Sequence, residues 1–204
     1  MFSEPHYDGL HGWIEVITGS MFSGKTEELL RRLRRAELAH LSIRLFKPLI
    51  DTRYSMESVV SHDNTRLPCV RIVNPESILA DTQNVDVVAI DEAQFFSEAL
   101  VNVCTALADA GKRVIVSGLD MDYRGLPFGV MPHIIARAEF VTKVHAICVQ
   151  CGSLANYSHR ISSDNNLILI GEKDRYEPLC RKCFCQVCQQ QEHSTSTQNI
   201  FSKQ

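Results

Sequence analysis

No run in this 204-residue chain is long and apolar enough to cross a membrane, and its start lacks a basic-then-apolar leader. Neither a membrane span nor a secretory signal is expected, and a cytoplasmic location is. The formal net charge is only −3, so no global field draws the chain to anionic lipid or nucleic acid. Membranes and nucleic-acid polymers are therefore not expected partners. One dense basic run, Arg31-Arg32-Leu33-Arg34-Arg35, interrupts this evenness. Its arginines spread around a predicted helix and read as a solvated face. Hydrophobic residues at 45% and charged residues at 22% are ordinary for a soluble globular chain. The length suits one domain with a small appendage.

A disulfide framework is not expected either, although there are eight cysteines. Cys69 and Cys104 stand alone in apolar surroundings and read as small core residues. The other six form Cys148-x-x-Cys151, Cys180-x-x-Cys183 and Cys185-x-x-Cys188. Two such knuckles at this separation predict a Zn²⁺ ribbon with four thiolates on two tight turns. A reducing compartment favours metal over disulfide. Spacing alone leaves Cys180/Cys183 and Cys185/Cys188 in competition for the second knuckle. A closed set of four thiolates is structural, because no coordination position stays open for chemistry.

The strongest motif is Gly19-Ser20-Met21-Phe22-Ser23-Gly24-Lys25-Thr26, which fits G-x-x-x-x-G-K-[ST]. It lies between a β-like run, Trp13–Ile17, and a helix-like run, Glu27–Leu41. The glycines let backbone N–H groups curl around a phosphate, and the helix adds its positive end. Lys25 supplies a mobile charge for the β- and γ-phosphates, and the Thr26 hydroxyl is a ligand for Mg²⁺. The chain is expected to bind a nucleoside triphosphate.

Val85–Ile90 is a continuous apolar run, as in a parallel strand buried on both faces, and it ends in Asp91-Glu92-Ala93-Gln94. A carboxylate at the carboxyl end of such a strand meets the ligand crevice of an open α/β sheet. Asp91 is the candidate Mg²⁺ carboxylate. Glu92 points elsewhere and is the candidate acceptor of a proton from an attacking hydroxyl.

Further strands are predicted at Ser42–Lys47, Pro68–Val73 and Arg113–Val116, with helices at Pro75–Asp81 and about Ser97–Ala110. This alternation predicts a parallel sheet covered by helices on both faces. From Gly118 the pattern changes, and Leu119–Gly129 is too apolar for an idle connection. A strand at Ala155–Ile161 and an apolar run, Leu167–Gly171, follow. His62-Asp63 reads as a turn, and Asp51-Thr52-Arg53-Tyr54 as a polar loop. The predicted division is a loose tail at 1–11, an α/β kinase domain at 12–143, a cysteine-bearing unit at 144–188 and a disordered tail at 189–204.

A phosphate loop with an Asp-Glu pair serves either a motor, in which Glu92 orients water, or a kinase, in which it deprotonates an alcohol. About 110 residues after Asp91 leave little room for a second motor domain. A kinase for a small planar alcohol fits better.

At this point the chain resembles the type II thymidine kinases, the zinc-containing class of bacteria and animal cytosol. The resemblance runs from Trp13 to Phe184. It rests on Gly19–Thr26, Lys47-Pro48 with Asp51–Tyr54, Ile90–Phe96, Gly118–Gly125 with Pro127-Phe128-Gly129, Cys148-x-x-Cys151, Gly171–Tyr176 and Cys180-x-x-Cys183. It implies a P-loop, RecA-like sheet domain with a small zinc ribbon carrying a lasso-like substrate loop. The implied reaction moves the γ-phosphoryl group of ATP-Mg²⁺ to the 5′-hydroxyl of thymidine or deoxyuridine. Glu92 matches the base and Asp91 the magnesium residue, while Gln94 lies beside the phosphates. Leu119, Tyr123 and Phe128 match the nucleobase pocket. Ser158, Leu169, Ile170 and Tyr176 match the loop that closes over thymine. Zinc falls on Cys148, Cys151, Cys180 and Cys183, leaving Cys185 and Cys188 as free thiols on a mobile tail. A homotetramer inhibited by thymidine triphosphate is implied as well. Glu172 departs from the family by standing where a small residue is usual, and Ser158 stands where Thr is frequent.

Overall fold

Residues 11–50, 58–60, 66–161 and 175–190 are described by a computed structural model. Asp51–Tyr54, His62-Asp63, Leu169, Ile170, Glu172 and most of both predicted tails lie outside the described residues. In chain order the first elements are β1 (Trp13–Thr18), α1 (Lys25–Leu38), β2 (Ile43–Pro48), β3 (Ser58–Val60), β4 (Arg66–Pro68) and β5 (Val70–Ile72). Then come α2 (Ser77–Asp81), β6 (Val87–Ile90), α3 (Ala99–Asp109), β7 (Arg113–Gly118), α4 (Met131–Arg137) and β8 (Phe140–Lys143). The chain continues through β9 (Ala146–Ile147), β10 (Leu154–Ala155), β11 (Tyr157–Arg160) and β12 (Tyr176–Leu179). Residues 181–190 are helical.

Six strands form one parallel sheet in the order β5-β2-β6-β7-β1-β8. The apolar runs of its central strands are buried on both faces, and alternate side chains serve different helices. Val88 and Ile90 pack with Leu100, Val103 and Leu107 of α3. Val87 and Ala89 pack with Leu29, Leu30 and Leu33 of α1. α2 and α4 contribute Ile78 and Ile134 to the α3 face, so the expected two-faced covering is present.

Register decides which loops meet. Thr18 pairs with Gly118 across β1 and β7, and Val116 pairs with Ile90 across β7 and β6. The segment after β1, which is the phosphate loop, therefore opens on the same edge as Asp91. α4 and β8 carry no sequence prediction. The first is two turns long with Pro132 near its start, and the second is a half-exposed edge strand, so neither repeats its pattern often enough to be read.

The basic run is not simply a solvated face. Arg34 and Arg35 are exposed, but Arg32 is 0% exposed. Its Nη1 lies 2.8 Å from Glu15 Oε2, and Arg113 Nε lies 2.7 Å from Glu15 Oε1. Glu15 sits on the α1 face of β1, so the helix must present it a cation. Two buried cations on one buried carboxylate join α1, β1 and β7.

The carboxyl-terminal part is built differently. Two antiparallel pairs, β9–β10 and β11–β12, enclose a third small core with Cys148, Tyr157, Leu179, Cys180 and Phe184. Cys185 and Cys188 lie on the 181–190 helix instead of a loose tail, and Cys188 packs against that core. Helical spacing turns Cys188 inward, a placement that C-x-x-C spacing alone does not reveal.

Candidate active site

Gly24 caps α1 with φ 84°, the left-handed conformation that lets the loop turn into the helix without a Cβ clash. Ser20 is buried, and its carbonyl accepts from Ser23 Oγ at 2.7 Å and Lys25 Nζ at 2.8 Å. Lys25 thus folds back over the loop. Phe22 is exposed with φ 63°, while Gly19, Met21 and Thr26 complete the turn into α1. The N-terminal N–H groups of α1 and the Lys25 ammonium concentrate positive charge at this end of the helix.

Opposite, at the end of β6, Asp91 is buried beside Lys47 of β2, with Nζ 3.2 Å from Oδ2. That contact has ion-pair distance but not hydrogen-bond alignment, so Oδ2 keeps an unsatisfied lone pair. A buried carboxylate oxygen in that state suits a hard divalent cation. Lys47 is a site residue that motif reading gave no role. The parallel pairing of Phe46 with Ile90 is what sets it beside Asp91.

Glu92 follows with φ 53° and ψ 40°, a left-handed conformation for a residue with a Cβ. Such backbones cost about 1–3 kcal/mol and gather at functional sites. Glu92 Oε2 accepts a 2.6 Å hydrogen bond from Gln94 Nε2. Ala93, between Glu92 and Gln94, packs into the large core.

The expected nucleobase residues fall into two groups. Phe128 is buried edge-on to Phe95 at 5.8 Å between ring centroids, and Leu119 donates its N–H to Gln94 Oε1. Tyr123 and Tyr176 meet around Arg160. The guanidinium lies 3.8 Å from the Tyr123 ring centroid, and its Nη2 donates to Tyr176 Oη at 2.7 Å. Sequence reasoning missed Phe95 and Arg160. Arg160 is 5% exposed, which no sequence pattern announces for an arginine at the end of a short strand. Ser158 Oγ accepts from the Met21 N–H at 2.9 Å and ties β11 to the phosphate loop.

The cysteine question is decided by distance. The sulfurs of Cys148, Cys151, Cys180 and Cys183 lie within 4.8 Å of one another. Four thiolates around one Zn²⁺ stand about 3.8 Å apart, given Zn–S near 2.3 Å. These four can hold a metal ion, and among the described residues Cys185 and Cys188 stand outside the group. The Cys151 thiol is drawn down to about 6 by the Ser153 hydroxyl and N–H and by neighbouring cysteines. Cys183 is pushed up to about 12 by burial and by the adjacent thiols. A cation bound here would draw every thiol of the group toward thiolate.

The thymidine kinase family model matches residues 12–184. Thymidine kinase of Bacteroides fragilis is 53% identical over 192 residues, 93% of this chain and 96% of that protein. Thymidine kinase of Bacteroides thetaiotaomicron is 55% identical over 90% of this chain and 94% of that protein. For that of a Rhodothermus species the values are 54%, 87% and 84%. Among solved structures, the genome packaging NTPase of Sulfolobus turreted icosahedral virus 2 is similar with a TM-score of 0.45 and 17% identity. It covers 66% of this chain and 75% of its own. With motif order, sheet register and cysteine geometry in agreement with a match over nearly all of its length, this chain belongs to the thymidine kinase family.

Proposed function

We propose that the protein transfers the γ-phosphoryl group of ATP to the 5′-hydroxyl of thymidine or deoxyuridine, with Glu92 as general base. The observation that carries this reading is Glu92 itself. It is held left-handed one residue beyond Asp91, with one carboxylate oxygen tied down, on the edge where the phosphate loop opens. Glu92 takes the 5′-hydroxyl proton while the oxygen bonds to the γ-phosphorus. The bond from that phosphorus to the β,γ-bridging oxygen breaks, and ADP leaves. Lys25 and the start of α1 hold the phosphates. Thr26 and Asp91 would hold Mg²⁺, which neutralises phosphate charge when bound with ATP.

Leu119, Tyr123, Phe128 and Tyr176 would contact the flat base, and Ser158, Leu169 and Ile170 belong to the segment expected to close over it. A structural Zn²⁺ on Cys148, Cys151, Cys180 and Cys183 would support that segment. A cytoplasmic homotetramer inhibited by thymidine triphosphate belongs to the same reading and has the family resemblance as its support. Residues 12–143 would form the kinase domain and 144–188 the ribbon, with 1–11 and 189–204 as tails.

Glu92→Gln should lower kcat roughly 10²–10⁴-fold with ATP affinity nearly unchanged, as expected on loss of a general base. Comparing kcat/KM across thymidine, deoxyuridine, deoxycytidine, deoxyadenosine and deoxyguanosine tests the substrate. Thymidine should lead. Deoxyuridine should follow by about 1–3 kcal/mol for its missing methyl. Comparable efficiency on deoxycytidine or a purine nucleoside would sink the pocket assignment, and DNA-stimulated ATP hydrolysis without phosphotransfer would favour a motor.

A further inference from the structure

We propose that Gln94 is the positioning residue of the general base, coupling the Glu92 carboxylate to the loop that frames the nucleobase; this rests on reading Glu92 as the base. Gln94 is 3% exposed, and both ends of its amide are engaged. Its Oε1 accepts the Leu119 N–H at 3.0 Å, and its Nε2 donates to Glu92 Oε2 at 2.6 Å. Only the carbonyl end can accept from a backbone N–H, so the Leu119 contact dictates that the NH₂ end faces the carboxylate. A flipped amide would set donor against donor and acceptor against acceptor.

Two glycines let the chain approach Gln94 closely, one at its side chain and one at its backbone. A Cβ on Gly118 would stand 2.8 Å from Gln94 Oε1, and one on Gly129 would stand 2.2 Å from the Gln94 carbonyl oxygen. Gly129 also has φ +52°, so glycine there answers both backbone shape and close approach. The end of β7 and the end of the 119–129 segment thus close on Gln94 from two sides. With Oε2 tied, the Glu92 carboxylate cannot rotate freely about its last torsion, and Oε1 is held in one orientation. The family resemblance implies a place for Gln94 beside the phosphates, and its hydrogen bonds tie it to Glu92 and Leu119.

The consequence is that pocket and base move as one unit. Misplacing a catalytic group by about 1 Å is enough to cost 10²-fold. Single-turnover phosphoryl transfer from ATP-Mg²⁺ to thymidine tests this in the full chain. Gln94→Glu keeps an acceptor for Leu119 but cannot donate to ionised Glu92. Gln94→Met keeps the length and loses both bonds, and it carries the test if the added charge disturbs folding. Both should slow transfer about 10–100-fold while equilibrium affinities for ATP and thymidine stay within about threefold. Because the bridge acts only through Glu92, Glu92→Gln combined with Gln94→Glu should be no slower than Glu92→Gln alone. Unchanged transfer in both Gln94 variants, additive losses in the double variant, or a loss confined to thymidine affinity would each overturn the positioning role while leaving the base assignment intact. Near wild-type transfer in Glu92→Gln would instead overturn the base assignment, and this proposal with it.

Discussion

The sheet around Val88 and the cysteine group around Cys148 reach order by different means. The sheet buries apolar side chains on two faces, from β1, β2, β6 and β7 and the helices covering them. In the carboxyl-terminal part, three of the eight buried residues of the core are Cys148, Cys180 and Cys183, and its strands are two to four residues long. Strand pairs of that size are marginal by themselves. A large core tolerates a buried charge cluster such as Glu15 with Arg32 and Arg113. A small one has to be closed by something stronger than packing. The contrast teaches where each half should be vulnerable.

The largest effect should come from the metal group. Cys148→Ser and Cys183→Ser should lose about one Zn²⁺ per chain, and structural zinc is worth an apparent 10–16 kcal/mol or so in small units. Hydrogen exchange should accelerate in β11 and β12 while β6 and β7 stay protected, with Cys185→Ser and Cys188→Ser retaining the metal. Simultaneous loss of protection in β6 would break the comparison, because the halves would then share one transition.

Next in size is the buried carboxylate of the sheet. Glu15→Ala takes the shared acceptor from Arg113 and from Arg32, which keeps Glu28 at 2.9 Å, and should destabilise the protein by about 3 kcal/mol in urea unfolding. A cost below about 1 kcal/mol would mean that the cations find water or other partners.

The seam between the halves should be weaker. Ser158→Ala leaves the Met21 N–H without its acceptor, a loss of about 0.5–1.5 kcal/mol for a part-buried hydrogen bond. The expected readout is weaker ATP binding with zinc content unchanged, measured by calorimetry and metal analysis. Unaltered ATP affinity would show that the phosphate loop holds its shape without β11.

The smallest effect is a pH-dependent one at the start of β2. The Ser42 hydroxyl and N–H hold the Asp86 carboxyl below its ordinary range. A depressed carboxyl stabilises the fold above its unfolded value of about 3.9, and this is lost as pH falls through the lower folded value. Asp86→Asn should therefore lower Tm slightly at neutral pH, with the gap closing in acid. A gap that widens in acid would contradict the sign.

Much of this was legible beforehand because the signals are local. Gly19–Thr26 needs only its own backbone and the adjoining helix, and Val85–Ile90 announces a strand buried on both faces by lacking alternation. α4 and β8 escaped because each is too short to repeat its pattern more than about twice. Arg32 was misread because a helix's arginines can be assigned to a face only once a partner is known. That partner, Glu15, lies 17 residues away on the inner side of a strand.

By itself the sequence determined a phosphate loop, an acidic pair at the end of a buried strand, and two cysteine knuckles, each specified by contacts within a few residues. The register of β1, β7 and β6 then brought the phosphate loop and Asp91 to one edge. Distances among sulfurs chose Cys180 and Cys183 over Cys185 and Cys188. The Leu119 N–H, 25 residues along the chain, turned the Gln94 amide toward Glu92. These depend on pairing and burial between segments remote in the chain, where the energy of a contact is set by what the fold places opposite.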